Sequence, residues 1–221
     1  EMLKINNGQQ LLSPEPYPHW TLKEIYEQIE SSSRAISSGG RITSCSHVRL
    51  GGLADHTEQL LKIDNIILLG CGTSYYSGMI AMHYFKDLAM LNSVSLIEGS
   101  EFNLKDLPLY GKTALIFISQ SGETKDLHRC LNIARENDIF TIGVVNVIDS
   151  LIAREVNCGC YLNCGREVGV ASTKSFTSQV IVLSLIANWF AQKKEINLNK
   201  RIRYIRDLYN LSNYIEETIK V

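Results

Sequence analysis

The sequence contains no run of five or more Lys/Arg residues, and its 22 basic against 23 acidic residues leave a formal net charge of −1. That argues against nucleic acid as the main partner, since a phosphate backbone is met by a basic patch or stripe. No apolar stretch reaches the length of a membrane span. The opening "EMLKINNGQQLLSPEPYPHW" lacks the charged-then-apolar layout of a leader. A soluble, intracellular (cytoplasmic) protein with no membrane partner is expected. Paired Cys-x2-Cys spacing is missing too: Cys158, Cys160 and Cys164 run as Cys-x-Cys-x3-Cys with no His nearby, which is the wrong spacing for structural zinc. No metal is expected on that spacing. "CGCYLN" reads instead as a short strand placing Cys158 and Cys160 on one face as small hydrophobes.

Two nucleotide loops are likewise absent. "GCGTSYYSG" has Tyr75 where a dinucleotide fingerprint needs glycine, and no Gly-Lys-Ser/Thr occurs, so neither a Rossmann nor a Walker A loop is present.

What is present is a globular composition, 45% hydrophobic and 20% charged over 221 residues, enough for one domain with flanking elements. Residues 1–18 carry Pro14, Pro16 and Pro18 and read as an extended arm. Thr21 to Glu24 matches the capping box, and Leu22, Ile25, Ile29 and Ile36 recur at helical spacing, which predicts a helix over 21–36. From residue 65 strand–turn–helix units repeat. "NIILLG", "SVSLIE", "TALIFIS", "FTIGVVN" and "CGCYLN" are the strands, with helices over 74–91, 123–137, 150–156 and 173–193. "KRIRYIRDLYNLSNYIEETI" is a final amphipathic helix. Strands that are apolar throughout belong to a parallel sheet covered on both faces. The fold class is therefore α/β: a doubly wound, five-stranded parallel sheet of flavodoxin-like order 2-1-3-4-5.

That order places the switch point between the first and third strands, which are followed by the two most polar turns. Cys71-Gly72-Thr73-Ser74 follows one, and Ser119-Gln120-Ser121-Gly122-Glu123-Thr124 the other. Each leads into a helix N-terminus, where free N–H groups and a partial positive charge suit a phosphate. The plainer alternative is that these residues are helix caps and turn formers. A third segment, "REVGVASTKSFTSQ", precedes the last long helix. There Lys174 is expected to be a solvated first-turn lysine, Glu123 to cap its own helix and Glu167 to fix its loop. The five histidines lie outside these loops, and ordinary surface or packing roles are expected for most of them.

Together these segments resemble a sugar isomerase (SIS) domain, and more narrowly the isomerising glutamine–fructose-6-phosphate aminotransferases. The residues behind the resemblance are "YPHWTLKEIYEQ", "CGTSYYSG", "GSEF", "SQSGET" and "EVGVASTKSFTSQ", which cover nearly all of 17–190. Ile29, Gly99 and Ser175 depart from the residues common in the family. The resemblance implies that Ser74, Ser119, Gln120, Ser121 and Thr124 hold the sugar phosphate, while Thr73, Val170 and Ser172 line the sugar. It implies fructose 6-phosphate and glucosamine 6-phosphate as ligands, in the step that opens hexosamine biosynthesis toward UDP-GlcNAc, and no organic cofactor. The division implied is an arm over 1–20, a helical lead-in over 21–64, the SIS domain over 65–195, and a C-terminal helix over 196–221 leading toward a second SIS domain. The family's catalytic Glu, His and Schiff-base Lys lie in that second domain and its tail, and its glutaminase domain precedes the first. None of these is found here, so no catalytic residue is expected in this chain. A homodimer is expected, with 21–36, 173–193 and 201–218 as candidate contacts. A non-catalytic sugar-phosphate sensor and a stand-alone phosphosugar isomerase remain the alternatives.

Overall fold

The computed structural model describes residues 13–220. Most of the arm, residues 1–12, lies outside them. Two short helices, α1 (Trp20–Tyr26) and α2 (Gln28–Ala35), are followed by the hairpin β1 (Ile42–Ser44) and β2 (His47–Val48) and by the single turns α3 (Gly51–Ala54) and α4 (Thr57–Leu60). The sheet and its crossovers come next: β3 (Asn65–Gly70), α5 (Thr73–Leu88), β4 (Ser93–Glu98), β5 (Thr113–Ser119), α6 (Lys125–Glu136), β6 (Phe140–Val145), α7 (Leu151–Glu155) and β7 (Cys158–Tyr161). Helices α8 (Lys174–Lys193) and α9 (Leu198–Ile219) close the chain.

The five strands run parallel in the order β4-β3-β5-β6-β7, the expected 2-1-3-4-5. Alternate strand residues feed two cores. Ile66, Leu68, Ile116, Ile118, Ile142 and Val144 pack with α5 and α8; Ile67, Leu69, Leu115 and Phe117 pack with α6 and α7. Burial of each such side chain contributes about 1.5–3 kcal/mol, and only helices on both faces can bury both sets. Cys158 and Cys160 are buried together in the first core, as the strand reading requires. The edge strand β4 is half-exposed along most of its length.

The lead-in departs from expectation. The helix predicted over 21–36 breaks at Glu27, and its N-cap is His19, which makes no side-chain cap bond. Thr21 and Glu24 are therefore the second and fifth residues of α1 and form no capping box, and Glu24 bonds the 168–169 backbone instead. Helix α8 is also more interior than expected. Ser178, Gln179 and all of Ile181–Ala191 are buried within the chain, which removes most of α8 as a candidate dimer contact. Among the described residues no helix is long and apolar enough to cross a membrane.

Candidate functional site

Strands β3 and β5 are hydrogen-bonded neighbours, with Gly70 opposite Ile118, so the turns after them emerge side by side, about 4.8 Å apart. The first turn is tight. A Cβ on Gly70 would come within 2.8 Å of the backbone of Ser74 and Tyr75, and Gly72 caps α5 with φ 58°. Only glycine accepts both demands cheaply. Ser74 N–H donates to Cys71 O at 3.2 Å and Tyr75 N–H to Gly72 O at 3.1 Å, so the chain enters α5 with Thr73 exposed and Ser74 half-buried at its start.

The second turn holds itself. Ser119 Oγ accepts the Gly122 N–H at 3.0 Å and lies 3.2 Å from Thr124 Oγ1, and Ser121 Oγ accepts the Glu123 N–H at 3.2 Å. Gly122 sits at φ 68°, where a Cβ would run into Ser150 Oγ. Ser119 is buried, while Gln120, Ser121 and Thr124 are half-buried at the rim. Glu123 does not cap its own helix. Its Oε1 accepts the Leu151 N–H at 2.8 Å, and Ile152 N–H donates to Gly122 O at 3.1 Å. The N-terminus of α7 thus backs the turn, and the first-turn N–H groups of α6 have no helical acceptors of their own.

The third segment joins through α8. Gln179 Nε2 donates to Ser74 Oγ at 2.9 Å, and Ser172 Oγ and Ser175 Oγ lie 2.7 Å apart. Ser175 and Gln179 are four residues apart on one helix face, a rise of about 6 Å, which brings Ser172 alongside the start of α5. Val170 is fully exposed at the tip of its loop. Glu167 fixes that loop, as expected: it accepts the N–H groups of Thr173 at 3.0 Å and Ser175 at 3.2 Å, and also the Ser175 hydroxyl. It thereby occupies the N-terminus of α8, leaving those of α5 and α6 for a ligand. Lys174 overturns its expectation. It is 3% exposed and paired with Glu27 of the lead-in, because the first turn of α8 lies beneath the break between α1 and α2.

The family model of the SIS domain matches residues 59–188. The chain belongs to this family. Over 187 residues (85% of this chain, 30% of the relative) it is 44% identical to a protein of Acanthamoeba polyphaga mimivirus named "Probable glutamine--fructose-6-phosphate aminotransferase [isomerizing]". Over 215 residues, 95% of this chain and 31% of the relative, it is 35% identical to glutamine–fructose-6-phosphate aminotransferase (isomerizing) 1 of Arabidopsis thaliana. A solved C-terminal domain of glucosamine-fructose-6-phosphate aminotransferase from Francisella tularensis superposes with a TM-score of 0.82 at 30% identity, over 91% of this chain and 56% of that one. The SIS chain thus spans about 30% of the length of these curated relatives.

Sequence reasoning missed three contributors to this SIS crevice. Gln179 closes the segment "EVGVASTKSFTSQ", but nothing in the spacing of that segment tells that a buried helix residue nine positions beyond Val170 reaches Ser74. Ser175 belongs to the third polar segment and departs from family usage, and its place in the site comes from touching both Ser172 and Glu167. Glu98, opposite Gly70 at the end of β4, adds a carboxylate beside the first turn. The Ser100 hydroxyl and N–H hold it below the usual carboxylate range. Next to it the Cys71 thiol is pushed up to about 12, chiefly by burial and then by Glu98. It is therefore a neutral packing group rather than a nucleophile.

Proposed function

We propose that this chain is the fructose-6-phosphate-binding SIS domain of an isomerising glutamine–fructose-6-phosphate aminotransferase, whose product is glucosamine 6-phosphate. The supporting observation is the convergence of two hydroxyl-bearing turns, each opening into a helix N-terminus, at the carboxyl ends of adjacent parallel strands. In this reading Ser121, Gln120, Thr124 and Ser74 hold the phosphate by charge-assisted hydrogen bonds, each contributing about 1.5–3 kcal/mol. Buried Ser119 shapes the turn from below. Thr73, Val170 and Ser172 line the sugar.

Chemistry on the sugar needs a base beside its C1 and C2. Glu123 and Glu167 are committed to backbone N–H groups, and Glu98 to the Ser100 N–H and hydroxyl, so none of the three suits that role. This favours a binding half-site served by acid–base groups from a second SIS domain, with a glutaminase domain supplying nitrogen. An apolar groove of about 430 Å³ between α5, α8 and α9, lined by Ile80, Tyr84, Phe176 and Leu208, offers one face for such a domain or for a second copy. Cytoplasmic residence fits a step that opens hexosamine biosynthesis.

Calorimetric titration with fructose 6-phosphate, repeated on Ser121→Ala, tests the reading. Loss of one charge-assisted bond weakens binding roughly ten- to a hundredfold. Equal binding by both proteins would remove Ser121 from the phosphate site.

A further inference from the structure

We propose that the lead-in helix α1 is part of the sugar site. Glu24 is a positioning residue that sets the conformation of the loop carrying Val170 and Ser172, and Glu27 secures the loop's far end. The inference rests on the function proposed above.

Residues 162–168 have no repeating structure, and turns with no regular element run on to the start of α8. Such a stretch loses backbone freedom when it is fixed, so its conformation must be imposed from outside. The agent is a carboxylate in an unusual place. Glu24 is 1% exposed, and a solvent-free carboxylate in a short helix is unfavourable unless charge-assisted bonds satisfy it. Its Oε1 accepts the N–H of Val168 at 2.5 Å, and the Gly169 N–H lies 3.2 Å from both oxygens. Contact is so close that a Cβ on Gly169 would stand 2.7 Å from Glu24 Oε2. Val170, the next residue, is thereby thrown fully outward.

The other side of the loop is tied to the same lead-in. Lys174 pairs with Glu27, and Thr177 Oγ1 donates to Gln28 Oε1 at 2.6 Å. Arg34 of α2 donates to the carbonyls of Asn163 at 3.2 Å and Cys164 at 3.0 Å. Contacts from α1 and α2 thus bracket Val170–Ser172 on both sides. The matched family segment begins at residue 59 and leaves these helices out, so the functional unit extends beyond it toward the N-terminus.

The experiment pairs amide hydrogen exchange with fructose 6-phosphate calorimetry on the 221-residue chain, Glu24→Ala and Glu24→Gln. Glu24→Ala should speed exchange at Val168 and Gly169 by about tenfold or more, with the amides of the 119–124 turn unchanged. It should also weaken sugar-phosphate binding by about tenfold or more. Glu24→Gln, whose amide oxygen can take both N–H groups, should return both readouts to within about fivefold of the wild type. Unchanged exchange in Glu24→Ala overturns the clamp. Faster exchange with unchanged affinity overturns its link to the site, and faster exchange throughout the chain reduces Glu24 to a general stabiliser. Absence of binding by the wild type would sink the proposed function instead, and the exchange result would still decide the clamp.

Discussion

The turn at 119–124 and the loop at 162–173 both follow strands at the carboxyl end of the sheet, but the turn relies mostly on its own side chains and the loop mostly on distant ones. Within 119–124, Ser119 Oγ accepts the Gly122 N–H and meets Thr124 Oγ1, and Ser121 Oγ accepts the Glu123 N–H. The loop and Lys174, the first residue of α8, are braced by partners up to 147 residues away: Glu27 on Lys174, Glu24 on Val168 and Gly169, Arg34 on Cys164 and Asn146 on Gly165. A turn braced largely by its own residues, with α7 behind it, keeps most of its shape when distant elements move. A loop held by distant elements is only as well placed as the packing of those elements. The first suits the part of a ligand that never varies, such as a phosphate. The second would allow motion of the lead-in to reach the sugar end of the proposed site.

The contrast can be tested by cutting ties on either side. Glu27→Ala would leave Lys174, whose side chain is 4% exposed, as an unpaired buried cation. The expected loss is about 3 kcal/mol in urea unfolding. A smaller loss than that of the turn variants would mean that the long-range ties carry little. In the turn, Gly122→Ala forces a Cβ at φ 68° into Ser150, at about 2 kcal/mol by the same measurement. A neutral result would show that α7 yields and that the turn is not rigid. Ser119→Ala removes the acceptor of the buried Gly122 N–H and should cost about 1–2 kcal/mol. It should also weaken sugar-phosphate binding less than Ser121→Ala does, if Ser119 acts only from beneath.

The smallest effect concerns thiols on the two sides. Burial pushes Cys71 of the first turn and Cys164 of the loop up to about 12. A raised thiol stays neutral, so at pH 8 only about one in ten thousand is thiolate. Exposed Cys45 should therefore react with a thiol reagent well before either of them. Rapid labelling of Cys164 alone would show the loop opening while the turns stay closed.

Much of the turn was legible in the sequence because its bonds are local. Glycine before a helix and hydroxyls three to five residues apart are patterns that one stretch of chain completes by itself. The sheet order was legible too, since continuous apolar strands alternating with helices admit few arrangements. The lead-in was not. Thr21 and Glu24 match a capping box, but Glu24 turns to Val168 and Gly169, a partner that no local pattern names. Lys174 looked like a solvated first-turn lysine until α1 and α2 covered it. Glu123 looked like a cap for α6 and instead caps α7, since the two N-termini are neighbours in space.

By itself, then, the sequence determined the α/β class, the strand order and the two turns at the switch point. Periodicity, glycine placement and hydroxyl spacing act over a few residues and survive in any packing. Only the tertiary structure decided which carboxylates are spent on backbone N–H groups and that Gln179 reaches Ser74. It also decided that α1 grips the loop beside the site. Those outcomes depend on which polar group lies nearest once water is excluded, and burial brings together residues that the chain keeps far apart.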